Sequence, residues 1–134
     1  MAYSNLSAAQ KQARASALNT ALGANATIRI YSGNAPATPD TAPTGTLLVT
    51  LTGNASGFGT ATNGVITASA ITQANAVATG TAGYARLATS GGTAILDVDV
   101  GTSGASVNMN TTAIVSGGPV QITSLTISEV AYSA

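Results

Sequence analysis

The sequence predicts a mainly β fold: an antiparallel β-sandwich or small barrel of about seven strands behind one N-terminal α-helix. Two observations predict it. Good helix formers run together only before Gly23, and beyond it short apolar segments alternate with turns rich in Gly, Pro and Asn. The chain has 134 residues, enough for one hydrophobic core. It divides into an N-terminal arm and helix, 1–23, and a single β domain, 24–134.

The helix spans residues 7 to 22. Ser7 caps it, and Gln10 completes a capping box. Its interior is Ala, Gln, Lys, Arg and Leu, and Gly23 stands where a left-handed residue ends a helix. Leu18 and Leu22 share one side with Lys11 and Arg14 close by, while Leu6, Ala9, Ala13 and Ala17 line another. Two uses stay open: a cover over the chain's own β domain, or an arm that grips another subunit. The arm reading predicts that removing residues 1–22 leaves a folded β domain that no longer assembles.

The strands follow in order. "ATIRIYSG" alternates, with Ile28 and Ile30 on one face and Thr27, Arg29 and Tyr31 on the other. "NAPATPDTAPTG", Asn34 to Gly45, carries Pro36, Pro39 and Pro43 and reads as an ordered surface loop. "TLLVTLTG" places Leu47, Val49 and Leu51 inward. "NASGFGTATNG" is a loop with the single Phe58, "GVITASAI" is a weaker strand, and Ala74 to Ala82 supplies an edge strand.

"GYARLATSGGTAILDVDVGTSG" gathers three of the eight charged side chains. A two-residue turn at Gly91-Gly92 sets Leu87 against Leu96 and Ala85 against Val98 on the inner face. Arg86 then meets Asp97 outside, and Tyr84 meets Asp99. Every apolar residue finds an apolar partner and the charges find complements, so the register is self-consistent. As an exposed pair, Arg86 and Asp97 are worth only ~0.2–1 kcal/mol. In the last third, two strands flank Ser116-Gly117-Gly118-Pro119. The apolar parity changes between Val120/Ile122 and Leu125/Ile127, which requires a bulge or a strand buried on both faces.

Composition narrows function. Charged residues make up 6% of the chain, against about 25% in a typical soluble domain. Four basic residues balance four acidic ones, which leaves no electrostatic footprint for nucleic acid or an anionic membrane. No run approaches the ~18 apolar residues of a membrane span, and no compact apolar leader opens the chain. An uncharged folded surface near zero net charge is poorly defended against association, so a permanent assembly is expected to cover much of it.

The chain has no Cys and no His. That closes disulfide frameworks, thiolate sites, histidine-based zinc ligation and the usual Ser or Cys triads. Asp97 and Asp99 form one close carboxylate pair, ~6–7 Å apart along a strand, a spacing that overlaps glycosidase acid/base pairs. A sugar cleft rich in aromatics is missing, however, with no Trp and 4% aromatic residues. "DVDVG" begins like a Ca²⁺ loop, but Gly101 and Asn108 stand where an EF-hand needs an oxygen ligand and a Glu. Neither catalysis, a metal, a cofactor nor a small-molecule substrate is expected.

"ALGANATIRIYSG" with its Pro-rich sequel, "GTAGYARLATSGGTAILDVDVGTSG", "VNMNTTAIVSGG" and "VQITSLTI" resemble a family of small tailed-bacteriophage and prophage virion proteins. The resemblance covers most of residues 18 to 129 and rests on turn and strand signatures. It implies a non-enzymatic capsid decoration (cement) protein that bridges major capsid protein subunits and contacts copies of itself. Such a protein is made in the host cytoplasm and resides in the virion. The alternatives are another virion component, in the tail, head–tail joint or a head fibre, and more remotely a bacterial adhesin or pilus-like subunit. Partner contacts are expected at Leu6, Lys11, Arg14, Leu18 and Leu22 of the N-terminal segment and at Pro36, Pro39 and Pro43 of the loop.

Overall fold

The computed structural model describes residues 7–55, 57, 59–62, 65–69 and 71–128. Leu6 and Phe58 lie outside them, as does the Lys11 side chain. Helix α1 runs Ala8–Leu22; the Ser7 hydroxyl accepts the Gln10 N–H at 3.3 Å, the N-cap half of the expected capping box. Gly23 ends the helix at φ 69°, but its ψ of −163° is extended, not left-handed helical. The chain therefore leaves α1 directly toward the first strand.

Residues 15, 18, 19 and 22 form the inward face of α1, the i, i+3, i+4, i+7 spacing of a covering helix. Ala15 and Leu22 join the buried core, and Leu18 packs against it. The Asn19 amide donates to Gly59 O at 2.8 Å. Ala9, Ala13, Arg14 and Ala17 face outward. The helix is thus a cover over its own sheet. That corrects one of the expected partner contacts, Leu22, which is 2% exposed; Leu18 packs against the core but stays half-buried.

Strands β1 (Thr27–Ser32), β2 (Leu47–Thr52), β3 (Gly59–Thr62), β4 (Val65–Ala68), β5 (Ala74–Asn75) and β6 (Gly80–Ala88) come first in the chain. Then follow β7 (Ala94–Gly101), β8 (Val107–Met109), β9 (Ala113–Ile114), β10 (Pro119–Val120) and β11 (Ile122–Ser128). One curled, mixed sheet runs β2-β1-β6-β7-β8-β11-β4-β3, with β9 added on β6 and a separate β10-β5 ribbon. This mainly β, half-barrel arrangement with one helix is the predicted class. Its departure from antiparallel pairing is β7 beside β8, parallel through Val100–Val107 and Gly101–Asn108. The five intervening residues make a sideways step, fastened by side chains. Asn108 accepts the Ala105 N–H and donates to Ala105 O, both at 3.0 Å, and Asp99 accepts the Ser106 N–H at 3.2 Å.

Ile28 and Ile30 are fully buried, as their alternation predicts. In β2 the pattern is denser than expected. The register slips between Ile30 and Tyr31, so Leu48 is a bulge residue between Val49 and Leu47. It too is fully buried, and it packs beside Gly80. Near the C-terminus the parity change is a bulge: Ile122 pairs Met109, but Ser124 pairs Asn108, leaving Thr123 unmatched. The two strands flanking Ser116–Pro119 do not pair with each other. Gly118 N–H closes a turn on Val115 O at 2.8 Å, after which β9 stays with β6 and β10 with β5.

Gly83 is where two backbones meet. A Cβ there would collide with the carbonyl of Gly33, so only glycine lets the start of β6 lie against the end of β1. Gly83→Ala is expected to lower stability by about 2 kcal/mol through this clash. Gly91→Ala, whose nearest neighbour would be Thr89 Oγ1 at 3.8 Å, is expected to stay within about 0.5 kcal/mol. Urea denaturation of both variants checks the contrast.

Candidate interaction surface

The charged cluster is built on the β6–β7 hairpin. Its register is the predicted one: Tyr84–Asp99, Ala85–Val98, Arg86–Asp97 and Leu87–Leu96. The turn is not. Gly92 donates to Thr89 O and Thr89 to Thr93 O, both at 2.9 Å, closing a three-residue loop with Gly92 at φ 95°. That loop alone would bring Leu96 opposite Arg86. One extra residue, Ile95, bulges out between the Leu87–Leu96 and Ala88–Ala94 pairs and restores the register.

Arg86 and Asp97 meet as a bidentate pair, Nε to Oδ1 at 2.7 Å and Nη2 to Oδ2 at 3.0 Å. The third contact decides the character of the site: Nη1 donates to Thr41 O at 2.8 Å. Beside it, the Tyr84 ring stacks on Tyr31 with centroids 5.3 Å apart. The Tyr84 hydroxyl accepts the Thr44 N–H at 3.0 Å and donates to Thr44 O at 2.9 Å. The Pro-rich loop thus roofs a face expected to meet solvent. Arg86 is 5% exposed, and the side chain of Asp97 9%. The expected exposed pair is therefore a buried one, and removing one partner costs more than at an exposed pair because the other charge is left buried.

The hydrogen bond that Arg86 donates to Asp97 holds the Arg86 pKa above its ordinary value, and burial opposes it. A raised pKa on a cation means that the stabilisation from this pair is present at neutral pH. Rising pH removes it only in strong alkali.

The remaining sequence-selected positions are spread over two elements. Arg14 is exposed on α1, which lies on β3 and β4. Pro43 is exposed in the loop over β1, β6 and β7, while Pro36 and Pro39 are half-buried. Sequence reasoning missed the roof. Its available signal was the parity of Tyr31, Tyr84 and Arg86, a half-apolar face too rich for open solvent, next to a long loop leaving β1. Among the described residues the large exposed apolar side chains are Val77 and Val115. They sit on either side of the contacts joining Ala76 to Gly117 and Gly118.

Both hairpin carboxylates have partners. Asp97 is committed to Arg86 and Asp99 to the Ser106 amide. Among the described residues no three His, Cys, Asp or Glu side chains cluster, and no helix is long and apolar enough to cross a membrane. Compared with known proteins, the chain matches no family model, no curated protein and no solved structure.

Proposed function

We propose that this chain is a non-enzymatic structural protein of a tailed-phage virion. It decorates the capsid and stabilises it by bridging major capsid protein subunits, in contact with copies of itself and without a cofactor. One observation carries the reading. Only eight of 134 residues are charged, and two of those are withdrawn from the surface into the Arg86–Asp97 pair. Among the described residues, what remains outside is mostly Thr, Ser, Asn, Ala and Gly, with scattered charges such as Arg14, Asp40 and Asp99 and a few apolar side chains such as Val77, Val115 and Pro43. Such a surface suits contact repeated many times over a shell, where each joint adds modest buried area. Placement in the tail, at the head–tail joint or on a fibre would use the same chemistry.

The test is co-sedimentation of the purified protein with phage heads that lack it, at roughly 0.1 M and roughly 1 M salt. Saturable binding at many copies per head, unchanged across that salt range, is the expected result. Binding lost at high salt would oppose the neutral-surface reading. Binding to tails alone would move the protein to another part of the virion.

A further inference from the structure

The segment between Gly33 and Gly45 adds no residue to the buried core. It is nevertheless ordered by its own bonds: Thr41 N–H donates to Thr38 O at 3.1 Å, and the Thr44 hydroxyl bonds Asn34 O at 2.5 Å. Its stem is closed by Ser32 N–H on Thr46 O and Thr46 N–H on the Ser32 hydroxyl, each at 3.0 Å. The two glycines bounding it have positive φ, 82° and 77°, where other residues are disfavoured. Between those points, among the described residues, its hydrogen bonds to the sheet run through Arg86 and Tyr84. An internally bonded unit with glycine ends and few attachments has the makings of a separately opening element.

We propose that residues 34–45 are a strap that opens as one body about Gly33 and Gly45 while the sheet stays folded, latched shut by Arg86 and Tyr84 together. The chemistry of the latch permits this. When the strap lifts, Arg86 loses Thr41 O but keeps Asp97, so no charge is left buried and unpaired. The Tyr84 hydroxyl exchanges Thr44 for water at little net cost. What opening uncovers is the Tyr31–Tyr84 stack, 6% and 2% exposed when closed, and contact with these rings favours the closed position. The three prolines limit the conformations of the free strap, so it re-latches without searching many shapes.

Amide hydrogen exchange on the full chain tests the strap, with the Thr44 N–H as reporter because its acceptor is the Tyr84 hydroxyl. The Ile28 and Leu87 amides, in the central strands β1 and β6, report the sheet. In the unmodified protein, Thr44 exchange is expected to be independent of low urea, as a local opening is, while the sheet amides follow global unfolding. The variant Arg86→Met with Asp97→Leu touches neither Thr44 nor Tyr84. It is expected to speed Thr44 exchange roughly 10- to 100-fold through loss of the Thr41 latch, with the sheet amides still protected. If the double variant does not fold, Arg86→Lys retains the charge facing Asp97 and removes the forked donor; the same acceleration is expected. Unchanged Thr44 exchange in a folded variant, or a urea dependence equal to that of Leu87, would overturn the strap and make the loop a fixed part of the fold.

Discussion

Arg86→Ala is expected to lower the unfolding free energy by about 3 kcal/mol, the penalty for leaving a buried charge without its partner. The lower end of the usual range applies because one layer of loop, not the core, covers Asp97. The substitution removes both bonds to the carboxylate and the bond to Thr41 O. Adding Asp97→Leu and using Met at position 86 is expected to restore at least half of the loss, since no charge is then left to desolvate. Urea denaturation of the single and double variants provides the comparison. A loss below about 1 kcal/mol for Arg86→Ala would place the pair with ordinary surface ion pairs. The double variant separates two properties: it recovers global stability while, on the strap proposal, the loop above it loosens.

Leu22→Ala is expected to cost about 3 kcal/mol, the range for truncating a buried leucine. Its side chain belongs to the same core cluster as Ile28 and Ile66. Ala17→Gln, on the exposed side of the same helix, is expected to change stability by less than about 0.5 kcal/mol. Deleting residues 1–22 removes Ala15 and Leu22 from the core together, so the truncated chain is expected to unfold instead of persisting as a non-assembling domain. Circular dichroism melts of the three proteins check this. A truncated chain that melts cooperatively near the full-length temperature would return the helix to the role of a detachable arm.

These residues show what the sequence could and could not convey. The β6–β7 register was legible because apolar and charged positions on both strands constrain it at once, and one slip would reverse every face. The turn was hidden for the same reason. A loop one residue longer and a bulge at Ile95 cancel, and the pairing pattern records only their sum. The helix was legible, but its covering role was not, because alanines surround it and only two leucines, Leu18 and Leu22, mark a side. Leu48 and the roof over Arg86 were hidden by distance along the chain. Thr41 and Arg86 are 45 residues apart, and no local pattern ties a loop carbonyl to so remote a guanidinium. The bulge at Thr123 could be read locally, from the parity of four apolar residues.

The central position of β1 bears on synthesis. Its neighbours are β2, which follows closely, and β6, which begins only at Gly80. As the chain emerges from the ribosome at about 5–20 residues per second, the β1–β2 ribbon waits some seconds with one hydrogen-bonding edge unfilled. Edge strands are commonly guarded by charge or proline. Here the only ionisable groups on β1 are Arg29 and Tyr31, and the prolines lie beyond its end. Any β1–β2 ribbon formed before β6 is made would therefore carry an open, nearly neutral edge that only β6 fills in the finished sheet.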